Sequence, residues 1–232
     1  KQRCQIIGAG SNLLINNIFI KGLVVCTKKL KSLEIKPYSG IVEAEAGVML
    51  PTLSNSLAKN GLQGGEWAVG IPGTLGGAIY MNAGTGNLSL AKNLISVKVI
   101  NNKTLEKLEI EKKDINFEYR FSSFQRNDLT IISARLHFEP NGNLEKLIQT
   151  TKNNLKLKTE TQPYHQPSFG SVFKNPENNY AAKLIDDMGL KGFKIGGAEI
   201  STMHSNFIIN TSSASSKDIY ELITVIQQKV LQ

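Results

Sequence analysis

The stretch "GIPGTLGGAIYMNAG", residues 70–84, contains more glycine than one turn needs. Four glycines and a proline fall within residues 70–77, and the segment is too apolar for a flexible linker. Glycines let main-chain N–H groups approach a phosphate or a flat ring closely. We therefore expect this stretch to line a binding site that Asn82 and Gly84 extend. Close packing of a strand against a helix is the structural alternative.

A second glycine turn, "GAGSNLLI" at residues 8–15, follows an apolar strand. The order resembles a dinucleotide-binding turn, but Leu13 stands at the third glycine position and a strand follows where the crossover helix should be. Ser11 and Asn12 instead offer side-chain donors that suit an anion, although a tight turn with an asparagine cap is equally compatible. Neither glycine stretch has the lysine and hydroxyl signature of a triphosphate loop, which argues against ATP hydrolysis.

Composition narrows the class of protein. The chain has 232 residues, 41% of them hydrophobic, a formal net charge of +8 and two cysteines, Cys4 and Cys26. No apolar run is long enough to span a membrane, and the cysteines form neither a disulfide framework nor a metal-ligand spacing. We expect that the protein binds no metal and that it resides in a reducing cytoplasm. The lysines are spread along the chain without an RNA-binding aromatic signature, so the charge indicates anionic small ligands or simply a lysine-rich surface, and not nucleic acid.

Hydrophobic periodicity divides the chain at about residue 138. The first part favours strands, interrupted by a helix from about Leu50 to Asn60, and the second part favours helices. This change predicts domains at residues 1–138 and 139–232. In the second part we expect three helices, with these apolar residues facing inward: Leu144, Leu147, Ile148 and Leu155; Leu184, Ile185 and Met188; and Ile219, Leu222, Ile223, Ile226 and Val230.

Two polar residues are candidates for chemistry. Arg120, in "FEYRFSSF", is one of only four arginines in a lysine-rich chain. One interpretation is that the position requires the planar, bidentate guanidinium of arginine, and a surface ion pair is the alternative. Ser171 lies in "QPSFGSVFKNP", which prolines keep rigid. The segment is not a Gly-x-Ser-x-Gly elbow, and no histidine–acid pair is evident, so we expect a hydroxyl that donates a proton or a hydrogen bond.

Six motifs in order carry a resemblance to a known family: "GAGSNLLI", "GIPGTLGGAIYMNAG", "YRFSS", "QPSFGSVFKNP", "AAKLIDDMGLKGFKIGGAEIS" and "HSNFIIN". Together they resemble the UDP-N-acetylenolpyruvoylglucosamine reductases, FAD- and NADPH-dependent enzymes of peptidoglycan precursor synthesis, and in particular the family's second type. The resemblance implies an α+β fold. An FAD-binding domain of the vanillyl-alcohol-oxidase type would be followed by a smaller α/β substrate-binding domain.

The resemblance also implies roles for individual residues. Arg120 matches the catalytic arginine and Ser171 the proton donor. The implied flavin-binding residues are Gly8, Gly10, Ser11, Asn12, Gly70, Ile71, Pro72, Gly73 and Gly76, with Asn82 and Gly84 close by. The implied substrate-binding residues are Asn175, Lys174, Gln162 and His204, although a lysine stem over apolar surface explains Lys174 as well and a capping role explains His204 as well.

By the family pattern we further expect a cytoplasmic monomer in which the sugar nucleotide and NADPH share one pocket. We expect an N-terminal part of the flavin region to precede Lys1 and a catalytic glutamate to follow Gln232, since Glu199 and Glu221 do not match by motif. Two alternatives stay open. A flavin or nucleotide-sugar binding module would not need Arg120 and Ser171 together. Another FAD oxidoreductase of the same fold, acting on an alcohol or sugar, would not explain "GSVFKNP".

Overall fold

The computed structural model describes residues 4–16 and 21–231, which form two compact units. Of these residues, 4–11 and 21–155 belong to the first unit, and 12–16 and 156–231 to the second. The division falls within a helix that starts at Leu144. The domain boundary predicted between residues 138 and 139 precedes this helix, and it stays a prediction.

Both units mix helices and strands, in keeping with the α+β class. The strands are β1 (Cys4–Ile7), β2 (Leu23–Cys26), β3 (Leu33–Lys36), β4 (Ile41–Glu45), β5 (Gly84–Thr85), β6 (Leu88–Ser89), β7 (Leu94–Asn101), β8 (Lys107–Glu111), β9 (Phe117–Glu118), β10 (Phe121–Ser122), β11 (Leu129–His137), β12 (Ser168–Ser171), β13 (Lys194–Ile195), β14 (Ala198–Ile200) and β15 (Phe207–Asn210). The α-helices are α1 (Leu50–Lys59), α2 (Leu75–Tyr80), α3 (Leu144–Thr161), α4 (Ala181–Asp187) and α5 (Ser216–Val230).

A five-stranded antiparallel sheet, in the order β3-β4-β11-β7-β8, forms the centre of the first unit. Alternate side chains of its strands, such as Val42, Val97 and Leu136, are fully buried on one face because successive residues of a strand point to opposite faces. Helix α1 joins this core through the three leucines that predict its inward face, at positions 50, 53 and 57. Burying each leucine stabilises the unit by about 1.5–3 kcal/mol.

Strands β1 and β2 form a separate parallel pair in which Cys4 lies opposite Leu23. Parallel neighbours need a crossover connection, which is usually a helix. Residues 8–16 and 21–22, the described part of this connection, contain no helix. This agrees with the prediction that the first glycine turn does not open a dinucleotide-binding crossover helix.

The second unit contains a four-stranded antiparallel sheet in the order β12-β15-β14-β13. Helix α5 covers it with Ile219, Leu222 and Ile226, as its spacing predicts. This helix begins with a reciprocal cap: the Ser215 hydroxyl accepts from the Asp218 N–H, and the Asp218 carboxylate accepts from the Ser215 N–H.

Three of the expected inward residues are exposed. Leu144 is 47% and Leu155 37% exposed, because the buried stripe of α3 consists of Leu147 and Thr151 and both leucines lie one turn beyond its ends. Met188 is 50% exposed because α4 ends at Asp187, so helical spacing does not extend to it.

Candidate active site

The two glycine stretches begin at Gly8 and Gly70, and they meet in the first unit. The Ser11 hydroxyl donates to the main-chain oxygen of Pro72 at 3.2 Å. A Cβ at Gly8 would lie 2.3 Å from the Thr74 hydroxyl oxygen, so only glycine permits this approach. The predicted loops therefore form one continuous wall.

Main chain is accessible on this wall at Gly10. Its φ of 74° is left-handed, a conformation that favours glycine, and no described atom lies within 4 Å of the position that a Cβ would occupy. Gly73 is also left-handed, with the Ser11 hydroxyl as the neighbour of its absent Cβ. The open space beside Gly10 leaves room for the pyrophosphate of a flavin dinucleotide to approach the main chain.

Gly76 has a different local role. A Cβ on this residue would lie 2.9 Å from that of Ala46, and its N–H donates to the Ala46 oxygen at 2.8 Å. The packing alternative thus applies at this position, where α2 lies against the chain that leaves β4. Gly70 closes a short 3-10 helix, and Ile71 packs against the core beside it. Asn12, the remaining predicted flavin-binding residue, belongs to the second unit.

Arg120 occupies the tight turn between β9 and β10. Its φ of 55° is left-handed, which is uncommon for any residue other than glycine, asparagine or aspartate. The guanidinium donates from Nη2 to the Gly84 oxygen at 2.8 Å and stacks over the Tyr119 ring at 4.9 Å. Such strain persists only where neighbouring contacts enforce it, and it concentrates at functional sites.

Residues 80–84 supply those contacts. The Asn82 amide donates to the Glu118 oxygen at 2.9 Å, and the Ser122 hydroxyl donates to the Tyr80 oxygen at 2.7 Å. Gln125 donates from Nε2 to both the Tyr80 oxygen, at 2.9 Å, and the Arg120 oxygen, at 3.3 Å. Asn82 and Gly84 thus hold the arginine turn, whereas their contribution to flavin binding stays a prediction. Ser122 and Gln125 were missed because nothing in the sequence connects them with Tyr80.

Ser171 ends β12 in the second unit, and it is exposed. Ser168 pairs with Ile209 and Ser171 with Phe207, so β12 has one residue more than β15 over this interval. The extra residue is a β-bulge, and Gly170 within it is left-handed at φ 64°. Bulges re-aim side chains, and this one leaves the Ser171 hydroxyl facing outward.

Asn206 holds the chain that follows Ser171. Its side-chain oxygen accepts from the Phe173 N–H, its amide donates to the Phe173 oxygen, and its main-chain oxygen accepts from the Val172 N–H, each at 2.9 Å. Asn206 belongs to the "HSNFIIN" motif, but spacing alone does not predict this contact.

The four predicted substrate residues also lie in the second unit. The Asn175 side-chain oxygen accepts from the Ala181 N–H at 3.1 Å, at the start of α4. Lys174 is exposed, and Gln162 is half-buried just after α3. His204 accepts at Nδ1 from the Asn206 N–H at 3.3 Å, and burial lowers the pKa of its imidazole. This bond fits the alternative interpretation of His204 as a capping histidine, and its contact with the substrate stays a prediction.

Residues 4–16 and 21–231 hold no cluster of three His, Cys, Asp or Glu side chains suited to a metal ion. In the same part of the chain, none of the helices combines the length and the apolar character needed to cross a bilayer.

Comparison with known protein families gives one match in each half of the chain. Residues 1–104 match the family described as an FAD binding domain, which confirms the predicted flavin cofactor. Residues 162–232 match the C-terminal domain of UDP-N-acetylenolpyruvoylglucosamine reductase.

Individual proteins are similar along nearly the whole chain. The UDP-N-acetylenolpyruvoylglucosamine reductase of Prochlorococcus marinus subsp. pastoris is 74% identical over 231 residues, which span 100% of this chain and 78% of that protein. The corresponding reductase of Prochlorococcus marinus strain NATL2A is 50% identical over 98% of this chain and 77% of its own length. The crystal structure of UDP-N-acetylenolpyruvylglucosamine reductase from Thermus caldophilus has a TM-score of 0.87 at 31% identity, over 98% of this chain and 82% of that one. The chain belongs to the UDP-N-acetylenolpyruvoylglucosamine reductase family.

Proposed function

We propose that this protein reduces the enolpyruvyl group of UDP-N-acetylglucosamine enolpyruvate with NADPH, giving UDP-N-acetylmuramate, and that Arg120 and Ser171 carry the chemical step. The observation that carries the assignment of roles is the left-handed turn at Arg120, which the fold maintains with hydrogen bonds between residues 118–122 and residues 80–84. An arginine is poorly suited to that conformation, so its side chain has a function that a glycine could not perform.

The reaction adds a hydride to the methylene carbon of the enolpyruvyl group and a proton to the neighbouring carbon. The chemistry that bound FAD supplies is hydride transfer from NADPH to that methylene carbon. Negative charge then develops on the neighbouring carbon and its carboxylate. Arg120 binds this carboxylate with two parallel N–H bonds, which strengthen as the charge grows.

Ser171 donates its hydroxyl proton to the carbon that carries the developing charge. The carbanion is a strong base, so an ordinary hydroxyl is acidic enough when it is held in position. The hydroxyl then recovers a proton from solvent, to which Ser171 is open. The bulge at Gly170 supports this role, because it turns Ser171 away from the buried side of the strand on which Phe169 packs.

The remaining site residues bind ligands in this proposal. Main-chain donors of the two glycine loops and the Ser11 and Asn12 side chains hold FAD, within the predicted region 1–138. Gln162, Lys174, Asn175 and His204 contact the sugar nucleotide, within the predicted region 139–232. NADPH and the sugar nucleotide use one pocket in turn, and the net charge of +8 suits both polyanions. We place the protein in the cytoplasm as a monomer, with neither a nucleic acid nor a membrane as a partner.

The test is NADPH oxidation by the purified FAD-loaded protein, with and without the enolpyruvyl sugar nucleotide. We expect steady oxidation that depends on the sugar nucleotide, with one UDP-N-acetylmuramate formed for each NADPH consumed. NADPH oxidation at the same rate without the sugar nucleotide, or reduction of the flavin by an alcohol or a simple sugar in place of NADPH, would exclude the proposed function.

A further inference from the structure

The segment that contains Ser171 is held by one buried side chain, that of Asn206. Asn206 is 5% exposed, and both polar atoms of its amide bind the main chain of Phe173, two residues after Ser171. Its own carbonyl binds Val172 as well. Val172 and Phe173 are therefore fastened to Asn206 by three hydrogen bonds of 2.9 Å.

This fastening determines where the extra residue of the β12 bulge can lie. Strict alternation from Phe169, which packs on the core, would turn residue 171 toward the same face. Ser171 is exposed because the extra residue lies between Ser168 and Ser171, while Val172 and Phe173 return to the core. If the chain could slip past Asn206, the extra residue could move beyond position 171 and rotate the hydroxyl inward.

We infer that Asn206 is a positioning residue for the Ser171 hydroxyl. The inference rests on the proposed role of Ser171 as proton donor. A proton donor must lie within hydrogen-bond reach of its target atom, and a displacement of about 1 Å costs on the order of 10²-fold in rate. Asn206 acts through the main chain of residues 172–173 and needs no contact with substrate.

The competing explanation is that Asn206 only stabilises the second unit, as any satisfied buried amide would. Asn210 provides a matched control. It lies on the same strand, and its side-chain oxygen accepts from the Ala214 N–H at 2.9 Å, so it supports a different turn. A variant at Asn210 lowers stability without loosening the Ser171 segment.

The experiment compares Asn206→Ala, Asn210→Ala and Ser171→Ala in the FAD-loaded protein by stopped-flow absorbance. Asn206→Ala should leave flavin reduction by NADPH unchanged and slow the reoxidation of reduced flavin by the enolpyruvyl sugar nucleotide by about 10-fold or more. Asn210→Ala should alter neither step. In the Ser171→Ala background, Asn206→Ala should add no further slowing, since the group that it positions is gone.

Hydrogen–deuterium exchange gives a readout that is independent of turnover. The amides of Val172 and Phe173 should exchange faster in Asn206→Ala than in the unmodified protein, while those of β14 keep their protection. If Asn206→Ala does not fold, Asn206→Asp replaces it, because the carboxylate keeps the shape and the acceptor but lacks the donor to the Phe173 oxygen.

Three results would overturn the inference: equal slowing of both half-reactions, additive slowing with Ser171→Ala, or faster exchange at residues 172–173 without slower reoxidation. Failure of the proposed function is recognised separately. In that case the unmodified protein's reduced flavin is not reoxidised by the sugar nucleotide, and the positioning role falls with it.

Discussion

The Arg120 guanidinium donates a hydrogen bond of 2.8 Å to the carbonyl oxygen of Gly84, a residue that has no room for a side chain. A Cβ at Gly84 would lie 2.1 Å from the main-chain oxygen of Leu88, on the facing strand of the β5–β6 hairpin. The acceptor that orients the arginine is thus held in place by close main-chain packing. The flexible Arg120 side chain therefore binds a main-chain acceptor that has little freedom to move.

Gly84→Ala should reduce both stability and turnover. The new methyl group must push β5 away from β6, and overpacking of this kind typically costs about 1–3 kcal/mol. The same shift moves the acceptor of Arg120, so turnover should fall by more than the loss of folded protein explains. Thermal unfolding and steady-state kinetics measure the two effects. Asn87→Ala, an exposed change in the same hairpin, is the control, and equal effects of both variants would contradict the argument.

Arg120→Lys should impair catalysis while the fold stays intact. Lysine keeps the charge but loses the second parallel hydrogen bond to the substrate carboxylate. A charge-assisted hydrogen bond is worth about 1.5–3 kcal/mol, so turnover should fall by roughly tenfold to a hundredfold. The melting temperature is the structural check. An unchanged rate, or a rate loss matched by a large loss of stability, would return Arg120 to the role of a surface ion-pair residue.

Gln125→Ala should slow turnover less than a change at Arg120 itself. Gln125 joins the carbonyl oxygens of Arg120 and Tyr80, and losing this bridge gives the strained turn more freedom. A neutral hydrogen bond contributes about 0.5–1.5 kcal/mol, which predicts a fall in kcat of about threefold to tenfold. Gln149→Ala, at an exposed position of α3, should leave kcat unchanged. A lower melting temperature with normal kcat would make Gln125 purely structural.

The sequence predicts helices better than it predicts the contacts that support the site. The inward residues of α1 and α5 follow from their 3.6-residue spacing, because burial selects apolar side chains at each turn. The hydrogen bonds from Gln125 to Tyr80 and from Asn206 to Phe173 join residues 45 and 33 positions apart. No periodicity records such pairs, since they depend on how strands and loops meet in three dimensions. Arg120 and Ser171 were candidates from the sequence itself, their specific roles came from the family resemblance, and their backbone geometry was not predictable.

Ser171→Ala should separate the two half-reactions. Reduction of flavin by NADPH moves a hydride and needs no proton from Ser171, so its rate should be nearly unchanged. Reoxidation by the enolpyruvyl sugar nucleotide should slow by roughly 10²-fold or more, the usual scale for losing a positioned proton donor. Stopped-flow absorbance at the flavin band resolves both steps. Equal slowing of the two would mean that Ser171 shapes the pocket and donates no proton.

Acidification should weaken the second unit through His204. In the folded protein its Nδ1 accepts from the Asn206 N–H, which requires a neutral imidazole on that side. Burial, and then the nearby charge of Lys191, lowers the pKa of His204 below its ordinary value of about 6.5. The unfolded chain therefore takes up the proton first. The contribution of His204 to stability is complete above about pH 6.5 and is lost as the pH falls through the folded pKa.

His204→Asn tests this account, because the asparagine side-chain oxygen can accept from the same N–H but does not titrate. We expect the melting temperature of the unmodified protein to fall between about pH 7.5 and about pH 5, and that of His204→Asn to fall less over the same interval. Asp218 does not confuse the comparison. Hydrogen bonds from Ser215 and Gly197 lower the pKa of its carboxyl, so it titrates at more acidic pH. Parallel pH profiles for the two proteins would show that His204 does not couple protonation to the segment that Asn206 holds.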